Sequence, residues 1–139
     1  MLWLLGAARA VQPDGEPGQH LIQTRGRHLV RAKIGAGAAP NTVFVGRRPT
    51  GEVWTPDWHN RYPGRDWIVT RILWLSGTEI GRNRLGCVDT FRRMIYIHGT
   101  PPTTRLGLPG SKGCVRMANA DVIELYELVP AGAVVEIHE

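Results

Sequence analysis

Residues 95–117 read IYIHGTPPTTRLGLPGSKGCVRM, and this stretch decides how the fold and the function are interpreted. A hydrophobic run ends at His98, and a loop rich in glycine and proline returns the chain to Cys114. A thiol is a strong nucleophile only as a thiolate, and its ordinary pKa of about 8.5 leaves little thiolate at neutral pH. An imidazole can take the thiol proton, and a strand end with a looped return can bring both groups together. The pattern predicts a cysteine acyltransferase site.

Gly99 and Gly113 stand directly beside the two candidate catalytic residues. A glycine lets the backbone approach a substrate closely, and an amide next to a nucleophile can donate a hydrogen bond to a developing oxyanion. The alternative is that Cys114 is a small core side chain and His98 a hydrogen-bonded strand end, which are common structural roles for these residue types. The pair with its two glycines favours the catalytic interpretation.

The stretch resembles the signature of the L,D-transpeptidase catalytic domain family (YkuD-like). That signature joins an upstream His-Gly or His-Ser to a downstream Ser/Thr-His-Gly-Cys-hydrophobe-Arg/Asn. The matching residues are His98, Gly99, Thr100, Ser111, Gly113, Cys114, Val115 and Arg116. The segment 119–137 also resembles the family's closing helix and strand, and weaker resemblance extends upstream to about Gly18 through 42–46 and 62–67. The chain departs from the family at Lys112, where a His is usual, and in residues 1–18, where the family's first paired strands are short or missing.

The resemblance implies a peptidoglycan L,D-transpeptidase that acts on stem peptides. Cys114 would attack the carbonyl before a terminal D-amino acid, His98 would be the general base and acid, and an amine acceptor would resolve the thioester. Gly99 and Gly113 would supply oxyanion or other backbone contacts. Substrate contacts would come from Ser111, Lys112 and Arg116, and Arg116 would either bind a substrate carboxylate or brace the Cys114 loop. No cofactor is implied, and a metal site is not predicted because neither cysteine belongs to a C-x₂₋₄-C pair.

Three alternative functions remain open from the sequence. Water as the acceptor would make the protein an L,D-carboxypeptidase or amidase-type hydrolase. The change at Lys112 and the short amino terminus are compatible with a catalytically impaired remnant that binds the cell wall. A cysteine peptidase of an unrelated fold would place its Cys before its His in sequence, and the reverse order of His98 and Cys114 disfavours it.

Length and charge predict one domain over residues 1–139 with a basic surface. A chain of 139 residues buries roughly two-thirds of its unfolded surface, enough for one core. The net charge of +5 could attract nucleic acid, but the arginines are scattered without an aromatic ladder, so no nucleic-acid partner is predicted. No run approaches the roughly 18 apolar residues of a transmembrane segment. Residues 1–10 make no convincing signal peptide, although the resemblance implies the cell envelope or periplasm.

Short apolar or alternating runs between Gly and Pro predict a mainly β fold. We expect strands at 2–7, 29–34, 42–45, 68–75, 94–98 and 133–137. Segment 68–75 is apolar at nearly every position and should be buried on both faces. A helix is predicted at 120–129 with Asn119 as its N-cap. With the resemblance, these elements predict an L,D-transpeptidase-like β-sandwich with few helices, with Cys114 on a loop before the C-terminal helix.

Overall fold

The computed structural model describes residues 25–106 and 113–138, and its main element is a seven-stranded sheet. The strands are β1 (Gly26–Ile34), β2 (Thr42–Val45), β3 (Arg48–Val53), β4 (Val69–Gly77), β5 (Tyr96–Thr100), β6 (Val115–Ala118) and β7 (Val134–Ile137). The helices are α1 (Pro56–Arg61) and α2 (Asn119–Leu128), and a 3-10 turn covers Gly86–Val88. The predicted mainly β class with few helices is confirmed. The strand predicted at 2–7 lies outside the described residues.

Strand β4 connects the sheet. It pairs antiparallel with β1 and β2 along one edge and with β5 along the other. β3 adds to β2, β7 adds to β1, and β6 pairs with β5 in parallel. Ile72 and Leu73 of β4 point to opposite faces, and both are fully buried, which confirms that this apolar strand is covered on both sides. The expected sandwich therefore takes the form of one connected sheet with hydrophobic clusters on its two faces.

Helix α2 covers one face of the sheet. The cluster between them contains Val30, Leu73, Leu75, Ile97, Val115 and Met117 from the strands and Val122, Leu125 and Tyr126 from the helix. The helix predicted at 120–129 is therefore confirmed, with Val122, Leu125 and Tyr126 buried. Neither helix of residues 25–106 and 113–138 has the length and apolar character needed to cross a membrane.

The prediction that Asn119 caps helix α2 is wrong. The helix begins at Asn119 itself, and Ala118 before it makes no side-chain capping bond. Asn119 instead bonds to a bulge in β4, because its Oδ1 accepts from Thr70 Oγ1 at 2.6 Å and its Nδ2 donates to Asn41 Oδ1 at 2.7 Å. Thr70 is fully buried with φ 77°, so its hydroxyl needs a partner inside the protein. Because Thr70 belongs to β4, the residues around Asn119 in the sequence give no indication of this contact.

Gly99→Ala is expected to lower the free energy of unfolding by about 2–3 kcal/mol through overpacking. A Cβ at this position would lie 2.5 Å from Val69 O and 2.7 Å from Asn119 Oδ1. Both distances are too short for a Cβ contact, so the backbone or a neighbouring side chain would have to move. Val69 is fixed by its pairing with Gly99, and Asn119 by its bond to Thr70. Urea unfolding measures the effect. Gly64→Ala is the control, since a Cβ at Gly64 meets no atom within 4 Å, and equal midpoints for the two variants would contradict this packing.

Candidate active site

The parallel pairing of β5 and β6 brings three of the predicted site residues onto one face of the sheet. His98 of β5 pairs with Arg116 of β6, and two residues earlier in each segment Tyr96 lies beside Cys114, which directly precedes β6. Alternate residues of a strand point to the same face, so these four side chains lie on the face opposite to α2. Consistent with this, Cys114 packs against a cluster that contains Tyr96 rather than against the cluster that contains the helix.

The His98 imidazole is fully buried, and one of its nitrogens is fixed. Nδ1 lies 2.7 Å from the Gly99 carbonyl oxygen, which can only accept, so Nδ1 carries the proton and donates it. Nε2 is then unprotonated, and it has no hydrogen-bond partner among the described residues. Burial lowers the pKa of His98, and the Gly99 hydrogen bond opposes this effect in part. The imidazole is therefore neutral at neutral pH, and Nε2 can accept a proton.

The Cys114 thiol is held by two backbone groups. The Tyr96 amide donates to Sγ at 3.4 Å, and Sγ donates to the Met94 carbonyl oxygen at 3.5 Å. Burial raises the pKa of the Cys114 thiol to about 11, and the Tyr96 hydrogen bond offsets only part of that rise. The sulfur is therefore a protonated thiol at neutral pH and not a preformed thiolate.

The two predicted catalytic side chains share a face but are not hydrogen-bonded to each other, because Nε2 of His98 has no partner in the described part of the chain. Such bonds often tighten only when substrate binds. Gly113 has φ 115°, in the left-handed region that favours glycine, and it shapes the turn directly before Cys114. Ser111 and Lys112 lie outside the described residues, so their substrate contacts stay predictions.

Asp66 is a site residue that the sequence analysis missed. Its Oδ1 lies 2.9 Å from Nη2 of Arg116, whose side chain is 9% exposed, whereas that of Asp66 is 49% exposed. Beyond the larger effect of burial, Asp66 raises the pKa of both His98 and Cys114, and Arg116 lowers both. The ion pair therefore acts on the thiol and the imidazole with opposite charges, and Arg93 lowers the pKa of Cys114 further. Asp66 lies in the loop before β4, and nothing in its local sequence links it to Arg116.

The other cysteine, Cys87, lies outside the β5–β6 pairing that holds the candidate site. Both cysteines are free, and Cys87 is exposed in the 3-10 turn. Within residues 25–106 and 113–138, no group of three or more His, Cys, Asp or Glu side chains is arranged to hold a metal ion. The groups described at this face include a thiol, an imidazole, backbone amides and the Arg116–Asp66 ion pair.

Residues 18–137 match the family model of the L,D-transpeptidase catalytic domain, YkuD. The chain is 33% identical over 98 residues to "Probable L,D-transpeptidase YbiS" of Escherichia coli (strain K12), which covers 68% of this chain and 31% of that protein. It is 30% identical over 95 residues to "Probable L,D-transpeptidase ErfK/SrfK" of Salmonella typhimurium (strain LT2), with 67% and 30% covered. The chain thus spans less than a third of each of these two relatives.

Among solved structures, the chain is similar to "L,D-transpeptidase from Mycobacterium smegmatis", with 14% identity, a TM-score of 0.45, and coverage of 95% of this chain and 48% of that one. The family model, by contrast, is matched by the sequence itself over most of the chain, including His98, Gly113, Cys114 and Arg116. The resemblance noted from the sequence is confirmed, and the protein belongs to the L,D-transpeptidase catalytic domain family.

Proposed function

We propose that this protein is a cysteine acyltransferase that acts on peptidoglycan stem peptides as an L,D-transpeptidase, with Cys114 as the nucleophile and His98 as the general base. One observation carries the proposal. The β5–β6 register sets a thiol and a buried imidazole with an unprotonated Nε2 on the same face of the sheet. Family membership supports the choice of reaction and substrate class.

The first half-reaction forms a thioester. The Cys114 sulfur attacks the carbonyl carbon before the terminal D-amino acid while Nε2 of His98 takes the thiol proton. The tetrahedral oxyanion accepts hydrogen bonds from backbone amides, for which the amides of Gly113 and Cys114 are the candidates. The protonated imidazole then gives its proton to the leaving amine as the C–N bond breaks, and the terminal D-amino acid departs.

The second half-reaction transfers the acyl group. The amine of an acceptor stem peptide attacks the thioester carbonyl and loses a proton to Nε2 of His98. The C–S bond then breaks, and His98 returns the proton to the Cys114 sulfur. A new amide cross-link leaves, and the thiol and the neutral imidazole are restored.

The remaining predicted residues have supporting roles in this proposal. Arg116 is charge-balanced by Asp66 and braces the strand that follows the nucleophile. Gly99 fixes the His98 tautomer through its carbonyl oxygen. Ser111 and Lys112 would contact the substrate. Because the substrate is the cell-wall polymer, we place the protein in the cell envelope.

The proposal is tested by mass spectrometry of the protein with a synthetic tetrapeptide donor, with and without an amine acceptor. The expected result is a thioester adduct on Cys114 and a cross-linked peptide when the acceptor is present. Release of tripeptide without any cross-link would instead identify an L,D-carboxypeptidase. A folded protein that forms no adduct with the donor or with a carbapenem would identify a non-catalytic remnant.

The raised pKa of the Cys114 thiol predicts the pH dependence of its reactivity. Below a pKa of about 11, the thiolate fraction grows tenfold per pH unit, so alkylation by iodoacetamide should accelerate steadily from pH 7 to pH 10. The measurement uses the Cys87→Ser variant, so that only Cys114 reports. A rate that already levels off between pH 6 and pH 8 would contradict the prediction, because it would indicate a thiolate–imidazolium pair in the free protein.

A further inference from the structure

Arg47 lies in a strained turn on the same face of the sheet as the proposed nucleophile. The β2–β3 hairpin turns through Gly46 and Arg47, which both have positive φ, 56° and 64°. Two-residue hairpin turns with positive φ at both residues favour Gly, Asn or Asp, and an arginine in such a turn is conformationally costly. Strained residues of this sort cluster at functional sites, which directs attention to what the Arg47 side chain contacts.

The Arg47 guanidinium contacts the two residues that hold the Cys114 thiol. Nη1 of Arg47 lies 3.1 Å from the Tyr96 hydroxyl oxygen and 3.5 Å from Met94 Sδ. The backbone groups of Tyr96 and Met94 both form hydrogen bonds with Sγ of Cys114. The guanidinium also lies over the Trp74 ring, 4.6 Å from its centroid, and Trp74 pairs with Tyr96 across β4 and β5. Arg47 therefore lies towards the Met94 end of the site, away from His98.

The positive charge of Arg47 is not balanced within the described residues. In the ranges 25–106 and 113–138, no carboxylate forms an ion pair with Arg47, whereas Arg116 at the other end of the site is paired with Asp66. The contacts of Arg47 are a phenol, a thioether and an indole ring, which orient a guanidinium without neutralising it. The charge is thus held in place and remains available to an anion.

The Trp74 ring that supports Arg47 is itself fixed. It stacks on Phe91 with a centroid distance of 4.2 Å and an interplanar angle of 15°, and its indole nitrogen donates to the Phe91 carbonyl oxygen at 3.1 Å. Arg31 lies over the far side of Phe91, 5.0 Å from the ring centroid. Trp74 and Phe91 thus form a stack with Arg47 at one end and Arg31 at the other. Of these two arginines, Arg47 is the one that contacts Tyr96.

We propose that Arg47 binds the terminal carboxylate of the donor stem peptide and so makes the protein prefer donors in which that carboxylate is free. This inference rests on the proposed function. In that reaction the carboxylate lies one residue beyond the attacked carbonyl, about 3.5 Å further along the peptide. Neighbouring strands lie about 4.8 Å apart. Arg47 contacts the Tyr96 hydroxyl, one strand from Cys114, and lies over the Trp74 ring, two strands from Cys114. A donor can therefore present its carbonyl to Sγ and its carboxylate to the guanidinium together.

The experiment compares two donors, a tetrapeptide with a free terminal carboxylate and the same peptide as its terminal amide. Single-turnover rates of thioester formation are measured for the wild-type protein and for Arg47→Gln. We expect the wild type to prefer the free acid, and Arg47→Gln to lower the ratio of acid to amide rates by about 10- to 100-fold, the range for losing a hydrogen bond between charged groups. Arg47→Lys keeps the positive charge but loses the planar guanidinium, which can bind a carboxylate through two nitrogens. This variant should retain part of the preference for the free acid over the amide.

The matched control is Arg31→Gln, which removes the cation at the other end of the same aromatic stack and should leave the ratio unchanged. An equal loss on both donors in Arg47→Gln would overturn the inference and leave Arg47 as a support for Tyr96. An unchanged ratio would overturn it too. A wild-type protein that forms a thioester with either donor upholds the acyl-enzyme step of the proposed function in all these cases, whereas thioester formation with neither overturns both.

Discussion

Replacing Cys114 with Ala is expected to abolish acyl-enzyme formation, because no other group on this face of the sheet can form the thioester. Among residues 25–106 and 113–138 the cysteines are Cys87 and Cys114, and only Cys114 shares a face with His98. Intact-mass spectrometry after incubation with a tetrapeptide donor measures the result. The fold should survive, since the Cys114 side chain is only partly buried and a small residue replaces it.

Cys87→Ser is the matched control for that prediction. Cys87 is exposed in the 3-10 turn, so its substitution should leave both the adduct and the stability of the protein unchanged within about 0.5 kcal/mol. A thioester that persists in Cys114→Ala would show that Cys114 is not the nucleophile. So would loss of the adduct in a folded Cys87→Ser protein.

Elements with a core-facing hydrophobic pattern could be predicted from the sequence. β2 is predicted at 42–45 and found at Thr42–Val45, and the helix predicted at 120–129 is found at Asn119–Leu128. Two of the elements that escaped prediction, β3 and α1, lack such a pattern. β3 is exposed at every residue, and α1 has no buried residue, so neither has an apolar period. β6 is only four residues long, and its burial comes from its pairing with β5 and its packing against α2.

The same distinction applies to the candidate site. His98 and Cys114 could be proposed because thiol chemistry needs these residue types and glycines mark the loops around them. Asp66 and Arg47 could not, because their positions depend on which strands pair and where a loop crosses the sheet. The amide of Tyr96 bonds the sulfur only because β5 and β6 are parallel in this register. Contacts between segments far apart in sequence leave no local pattern.

The electrostatics of the free site favour a neutral thiol beside a neutral imidazole. Burial raises the pKa of Cys114 to about 11 and lowers the pKa of His98, so moving the proton from sulfur to nitrogen is unfavourable before substrate binds. Asp66 favours the protonated imidazole, and the Gly99 carbonyl does the same through Nδ1. The proton transfer is therefore expected to accompany the attack on the carbonyl, which makes the rate strongly dependent on the base.

His98→Asn is therefore expected to slow thioester formation by about 10²- to 10⁴-fold, the range for removal of a general base. The matched control is His28→Asn. His28 is also fully buried, with Nδ1 3.1 Å from the Gly26 carbonyl oxygen and with no partner for Nε2 among the described residues, and burial lowers its pKa as well.

His28 pairs with Gly77 and Val135, away from the β5–β6 register that holds the candidate site. Both variants remove a buried imidazole of the same kind, so both should lose stability, but only His98→Asn should lose acylation. Single-turnover rates with the tetrapeptide donor, together with urea unfolding of both proteins, separate the two effects. Equal acylation losses in the two variants would show that the His98 effect is one of stability. An unchanged rate in His98→Asn would show that another group takes the thiol proton.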